Sequence, residues 1–169
     1  MTKKFVTLSI VMTIAIVGWA LAAGNPSATG HGEITVGPPT APISVQYSFV
    51  AHELKSGVKG QAEILFGFTG ERFHVDIDCL RITQLGPPSV PPIATIGGIV
   101  TNVQSAGTPP FPPEGARVLF TMRDNGEGSN DPPDQLGLPA FVPPGGPFVC
   151  PQQVNGPLAN TEGNVQVRN

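Results

Sequence analysis

The densest set of metal-capable side chains lies in one stretch, Asp124-Asn125-Gly126-Glu127-Gly128-Ser129-Asn130-Asp131, with Asp134 just beyond it. Asp124, Glu127, Asp131 and Asp134 could supply hard carboxylate oxygens, and Asn125 and Asn130 could add carbonyls. Calcium is the cation that such ligands suit, and it takes about six to eight of them. The spacing is not that of an EF-hand loop: Gly126 and Gly128 stand where that motif places Asp or Asn. The plain alternative is a solvated hairpin turn, with Asn125-Gly126 adopting positive φ angles. Calcium is thus the one cofactor that the sequence raises, and no other is implied.

A second constellation is His74-x-Asp76-x-Asp78. On a strand these three side chains share one face, with neighbours about 6.6 Å apart. One metal could bridge two of them but not all three. The alternative is the solvated outer face of a sheet. The remaining histidines are His31 and His52, the latter beside Glu53. No Gly-x-Ser-x-Gly elbow is present, and Cys79 sits in an apolar run unsuited to an activated thiolate. A sugar-cleaving site would ordinarily include flat aromatic platforms. The chain has one Trp, Trp19, in its leading segment, and one Tyr, Tyr47. No residue is therefore assigned a catalytic role.

The leading segment reads as an export signal. Lys3 and Lys4 precede an apolar run from Phe5 to Trp19, broken only by Thr7, Ser9 and Thr13. Ala20-Leu21-Ala22 then offers a cleavage site after Ala22. An uncleaved membrane anchor is the alternative. Losing residues 1–22 turns nine basic residues into seven against twelve acidic ones, a net charge of −5. Such a chain has no basic cluster to neutralise phosphates, which argues against a nucleic-acid partner. It also implies no membrane association after cleavage. In an exported chain, Cys79 and Cys150 are expected to form one disulfide. Two free thiols or a cysteine metal site are the alternatives, and the absence of a nearby His pair makes the metal site poor.

The elements that must position these residues are strands. With 21 Gly and 20 Pro in 169 residues, the chain is rich in turn formers, about twice the usual share. Residues 23–30 read as a flexible linker and 31–169 as one domain. Ile43, Val45, Tyr47, Phe49 and Ala51 alternate with polar residues. Val58, Gly60, Ala62, Ile64, Phe66 and Phe68 do the same, followed by Phe73, Val75, Ile77 and Cys79. The phase then flips to Leu80 and Ile82, which predicts a bulge or a strand changing sheets. Further strands are expected at 31–36, at 93–103 with a Gly97-Gly98 interruption, around 118–122, at 136–140 where Pro139 breaks the run, and at 164–168. The loops Gly86–Pro92 and Thr108–Pro113 are stiff and Pro-rich, and Phe111 is either an exposed tip or a plug over a barrel mouth. The expected fold is all-β, an antiparallel meander of about seven or eight strands closed as a small barrel or sandwich after a signal-peptide helix. Pairing of 32–36 with 163–167 would close it.

The order of these segments resembles a set of uncharacterised exported bacterial proteins with a single small β-domain. The resemblance rests on Gly30-His31-Gly32-x-Ile34, Val75-x-Ile77-x-Cys79-Leu80, Asp124-Asn125-Gly126-Glu127-Gly128 and the terminal Gly163-Asn164-Val165-x-Val167. It implies bacterial export, a location in the periplasm, at the cell surface or outside the cell, and the 79–150 disulfide, and it supplies no catalytic residues. The functional expectation is a non-catalytic exported β-domain, binding or structural, with an unidentified extracellular or cell-surface partner. Two rivals stand beside it. One is a small-ligand-binding barrel of lipocalin or avidin architecture, which a cavity inside 43–53 and 58–68 would favour and a filled interior would oppose. The other is a secreted hydrolase, which a cleft gathering two carboxylates, or His, Asp and Ser, would favour and scattered, exposed His31, His52 and His74 would oppose.

Overall fold

The computed structural model describes residues 24–87, 89–105, 112–126, 130–146, 148–151 and 158–169. Residues 1–22, Glu127 and Phe111, with the readings placed on them, lie outside the described set. The described chain is all-β: β1 (Ser27–Val36), β2 (Ile43–Leu54), β3 (Gly57–Phe66), β4 (Glu71–Thr83), β5 (Ile93–Gln104), β6 (Arg117–Arg123), β7 (Gln135–Gly137), β8 (Ala140–Val142), β9 (Leu158–Asn160) and β10 (Glu162–Arg168). Every pairing is antiparallel, in the order β10-β1-β2-β3-β4-β5-β6-β7-β9, with β8 also on β6.

Period-2 alternation dictates the long strands. Val45, Tyr47, Phe49 and Ala51 are buried, while Gln46, Ser48, Val50 and His52 are exposed. Tight turns hold the register. Only Lys55 and Ser56 separate the paired ends Leu54 and Gly57, and Gly57 takes φ +107°, where a side chain would be strained. The phase flip in β4 is a bulge. Ile77 faces Gly98 and Cys79 faces Gly97, so Asp78 is the extra residue. Phe73, Val75 and Ile77 point inward before it and Leu80 and Ile82 after it, and Cys79 is buried outside that cluster. A second bulge lies opposite: His74 pairs with Asn102 and Val75 with Val100, so Thr101 is extra.

Three expectations are adjusted. The strand β1 begins at Ser27, inside the stretch expected to be a flexible linker, because Ser27–Gly30 pair on both sides, with β2 and β10. Phe68 leaves the alternating pattern and is 61% exposed, since β3 ends at Phe66 and the chain turns there. Of Asn125-Gly126, only Gly126 has a positive φ.

The sheet closes through its last run. Residues 158–160 pair with β7, and residues 162–168 pair with β1. Thr161 stitches the two halves: its N–H donates to the Asp134 carbonyl at 2.8 Å and its hydroxyl to the Glu33 carbonyl at 3.2 Å. Of the segment 32–36 expected to pair with 163–167, only Gly32 and Glu33 pair with β10; residues 163–167 run back along β1 from Gly32, opposite Gly163, to Ala28. A side chain on Gly163 would collide with the β1 backbone. Beyond β6 the wall is one broken strand. β7 and β8 lie along the same side of β6, and Pro139, which has no N–H to give the ladder, falls between them.

Candidate functional site

The barrel interior is filled with side chains. The Phe120 ring lies 5.2 Å from Tyr47 and 5.5 Å from Phe49, and Phe66, Phe73 and Phe141 form a second aromatic cluster with centroids 5.7 to 6.3 Å apart. Phe73 and Phe120 are wholly buried. Tyr47 brings a hydroxyl into this core. Its hydroxyl donates to the Gly137 carbonyl at 2.8 Å, and burial pushes its phenol far above the ordinary value, so it stays a protonated donor.

The polar chemistry lies outside the barrel. Strand register aligns Asn164, His31, Ser48, Glu63, His74 and Asn102 across six adjacent strands, from β10 to β5. One step along the strands, a second row aligns Gln166, Thr29, Val50, Gln61, Asp76 and Ile99. Between the rows runs an open groove of about 660 Å³ against β2–β5. A further groove of about 540 Å³ lies against β10, β1 and β2. They meet at Ser48, and a third groove of about 530 Å³, which shares Val50, Gln61 and Asp76 with the first, extends this polar trough toward Lys59 and Ile99. Five strand spacings of about 4.8 Å make the rows roughly 24 Å long. The Thr101 bulge contributes as well, since Thr101 and Asn102 both line the groove.

Of the expected metal-ligating strand residues, His74 and Asp76 line the first groove, and Asp78 borders only the third. His74 Nε2 lies 3.5 Å from Glu63 Oε2, and Arg72 lies 3.2 Å from the other oxygen of Glu63. Asp78 turns to β6, where Arg117 grips both its oxygens at 2.8 and 2.6 Å. The same guanidinium stacks 3.9 Å from the centre of the Phe148 ring. One residue on, Cys79 is bonded to Cys150. The bulge thus carries a clamp that holds residues 148–151 against the barrel wall.

The acidic loop is divided between roles. Asp134 is buried and accepts the N–H of Asn125 at 2.8 Å and of Val165 at 2.7 Å. Asp124 accepts the N–H of Gly126 and of Val167, both at 2.9 Å. Among the described residues, the outer edge of β10 has no ladder partner beyond Thr161, and these two carboxylates take that partner's place. Each oxygen expected to meet calcium on Asp124 and Asp134 therefore faces a backbone donor. Asp131 is exposed, with its carboxylate against Gly126. Among the described residues, no three His, Cys, Asp or Glu are arranged to hold a metal ion.

His31, Ser48, Glu63 and His74 do share one face, which is the gathering that a hydrolase would need. Ser48 and His31 are cross-strand neighbours with no side-chain hydrogen bond between them in this structure. The trough floor is sheet whose backbone N–H groups are largely engaged in ladders, interrupted at the Thr101 bulge. His52 stands apart, exposed at the far end of β2. No family model, curated protein or solved structure matches this chain. Among the described residues, no helix is long and apolar enough to cross a membrane.

Sequence reasoning missed the trough. Its signal was present as alternate polar residues in six strands, but a single strand does not reveal which partners lie across it.

Proposed function

We propose that this chain is an exported, non-catalytic binding module, bacterial in origin, that engages its partner through the outer face of the barrel. The observation that carries this reading is the contrast between a packed interior and an outer trough of hydrogen-bonding side chains. A lipocalin-like role needs volume where Tyr47, Phe49, Phe66 and Phe120 now stand. Export is supported by the Lys3-Lys4 and Phe5–Trp19 pattern with the Ala22 site, and by the disulfide, a bond of oxidising compartments.

Native and denatured mass spectrometry of protein purified from an exporting host tests it. The expected denatured mass is that of residues 23–169 less two hydrogens, and the expected native species carries no small molecule. A small ligand that survives native spraying equally in the parent and in a Gln61→Ala, Asn102→Ala variant, and leaves on denaturation, would overturn the outer-face reading in favour of an enclosed site.

A further inference from the structure

We infer that the trough binds a neutral glycan chain lying across the strands, an inference that rests on the outer-face reading above. The first argument is which polar groups are uncommitted. Some other side chains of the outer wall pair with one another: Glu33 with Ser44 and Gln46, Glu71 with Ser105, Asp78 with Arg117. In the trough, His31, Ser48, Gln61, Asp76 and Asn102 make no side-chain hydrogen bond to any described residue. Amides, a hydroxyl, imidazole and carboxylate together offer donors and acceptors at successive steps. A chain of hydroxyl groups, each both donor and acceptor, is the ligand that such a lining matches.

The second argument is charge. Glu63 faces Arg72 and His74, and Asp76 is the one carboxylate in the trough with no described side-chain partner. A lining this close to neutral attracts neither a phosphate polymer nor a strongly cationic one. A protein partner would instead call for aromatic and arginine anchors at the centre, and the centre of the trough is Ser48, Gln61 and Glu63. The third argument is shape. Groups repeat at about 4.8 Å along a row, close to one hexose unit of an extended chain. Val50 and Ile99, 39% and 38% exposed, offer apolar contact to the C–H face of a sugar ring. With no aromatic platform, the binding is weak per sugar and grows with chain length.

Affinity electrophoresis tests this, with the mature protein run through native gels containing dextran, xylan, glucomannan or alginate. The expected result is retardation by at least one of the three neutral polymers, insensitive to added salt. Gln61→Ala with Asn102→Ala should weaken it about tenfold or more, while Lys55→Ala, in the β2–β3 turn, should leave it unchanged. Both variants should melt like the parent, since they alter exposed positions. Retardation by alginate alone, or by no polymer, overturns the glycan inference and leaves the outer-face reading to the mass-spectrometric test. Retardation undiminished in the double variant overturns the trough as the site.

Discussion

The barrel has two unlike halves. From β1 to β5 the strands are 10 to 13 residues long and are joined by nearly unbroken ladders. From β6 to β10 they are three to seven residues long. The short half is held by devices other than backbone pairing: Asp124 and Asp134 on the edge of β10, Thr161 between β9 and β10, the Tyr47 hydroxyl on Gly137, and the disulfide with its Arg117–Asp78 clamp. The long half relies on its ladders; some of its outward polar side chains pair with one another, as Glu33 and Glu71 do, and His31, Ser48, Gln61, Asp76 and Asn102 make no side-chain hydrogen bond to a described residue.

The comparison breaks most readily in the short half. Replacing both Cys79 and Cys150 by Ala should lower stability by up to about 4 kcal/mol, from loop-closure entropy over a sequence separation of 71. Urea unfolding with and without reductant measures it, and a loss under ~1 kcal/mol would mean the ladders alone hold the wall. Asp134→Ala should cost roughly 3 kcal/mol, because it orphans the N–H groups of Val165 and Asn125. Asp134→Asn should recover only part, since its amide retains one acceptor and turns an N–H toward the other donor. Protection of the Val165 amide against hydrogen exchange should fall in both variants. If it does not, the carboxylate is not what closes the seam.

Tyr47 sharpens the comparison through pH. Burial raises its pKa above the unfolded value of about 10. Its contribution is fully present below pH 10 and is lost as pH rises further, because the unfolded chain ionises first. Tyr47 is the chain's only tyrosine, so near-ultraviolet tyrosinate absorbance should appear only on alkaline unfolding. Tyr47→Phe should cost about 1 kcal/mol at neutral pH and flatten the alkaline fall. The smallest effect belongs to the long half. Gln61→Ala and Asn102→Ala should each change stability by less than ~0.5 kcal/mol. A larger loss would mean that the trough is structural and would erase the distinction between the halves.

Much of this fold was legible in the residues, for a reason of range. Alternation such as Val45-Tyr47-Phe49-Ala51 is local and states which face is buried. The break between Cys79 and Leu80 states a bulge in the same terms. The Gly32 and Gly163 segments matched closely enough to suggest closure. The acidic loop was legible as a cluster of carboxylates but not in its role, because the donors it serves, on Val165 and Val167, lie 31 and 43 residues away.

The sequence by itself determined an all-β chain with its inward and outward residues already sorted, since side chains on a strand alternate with period 2 whatever they pair with. Its two cysteines and its leading segment set the expectation of an oxidised, exported product. Tertiary structure decided which carboxylates became backbone partners and which polar residues stood idle side by side. Cross-strand neighbours are fixed by register and by bulges such as those at Asp78 and Thr101, and register is a property of the closed sheet rather than of any one strand.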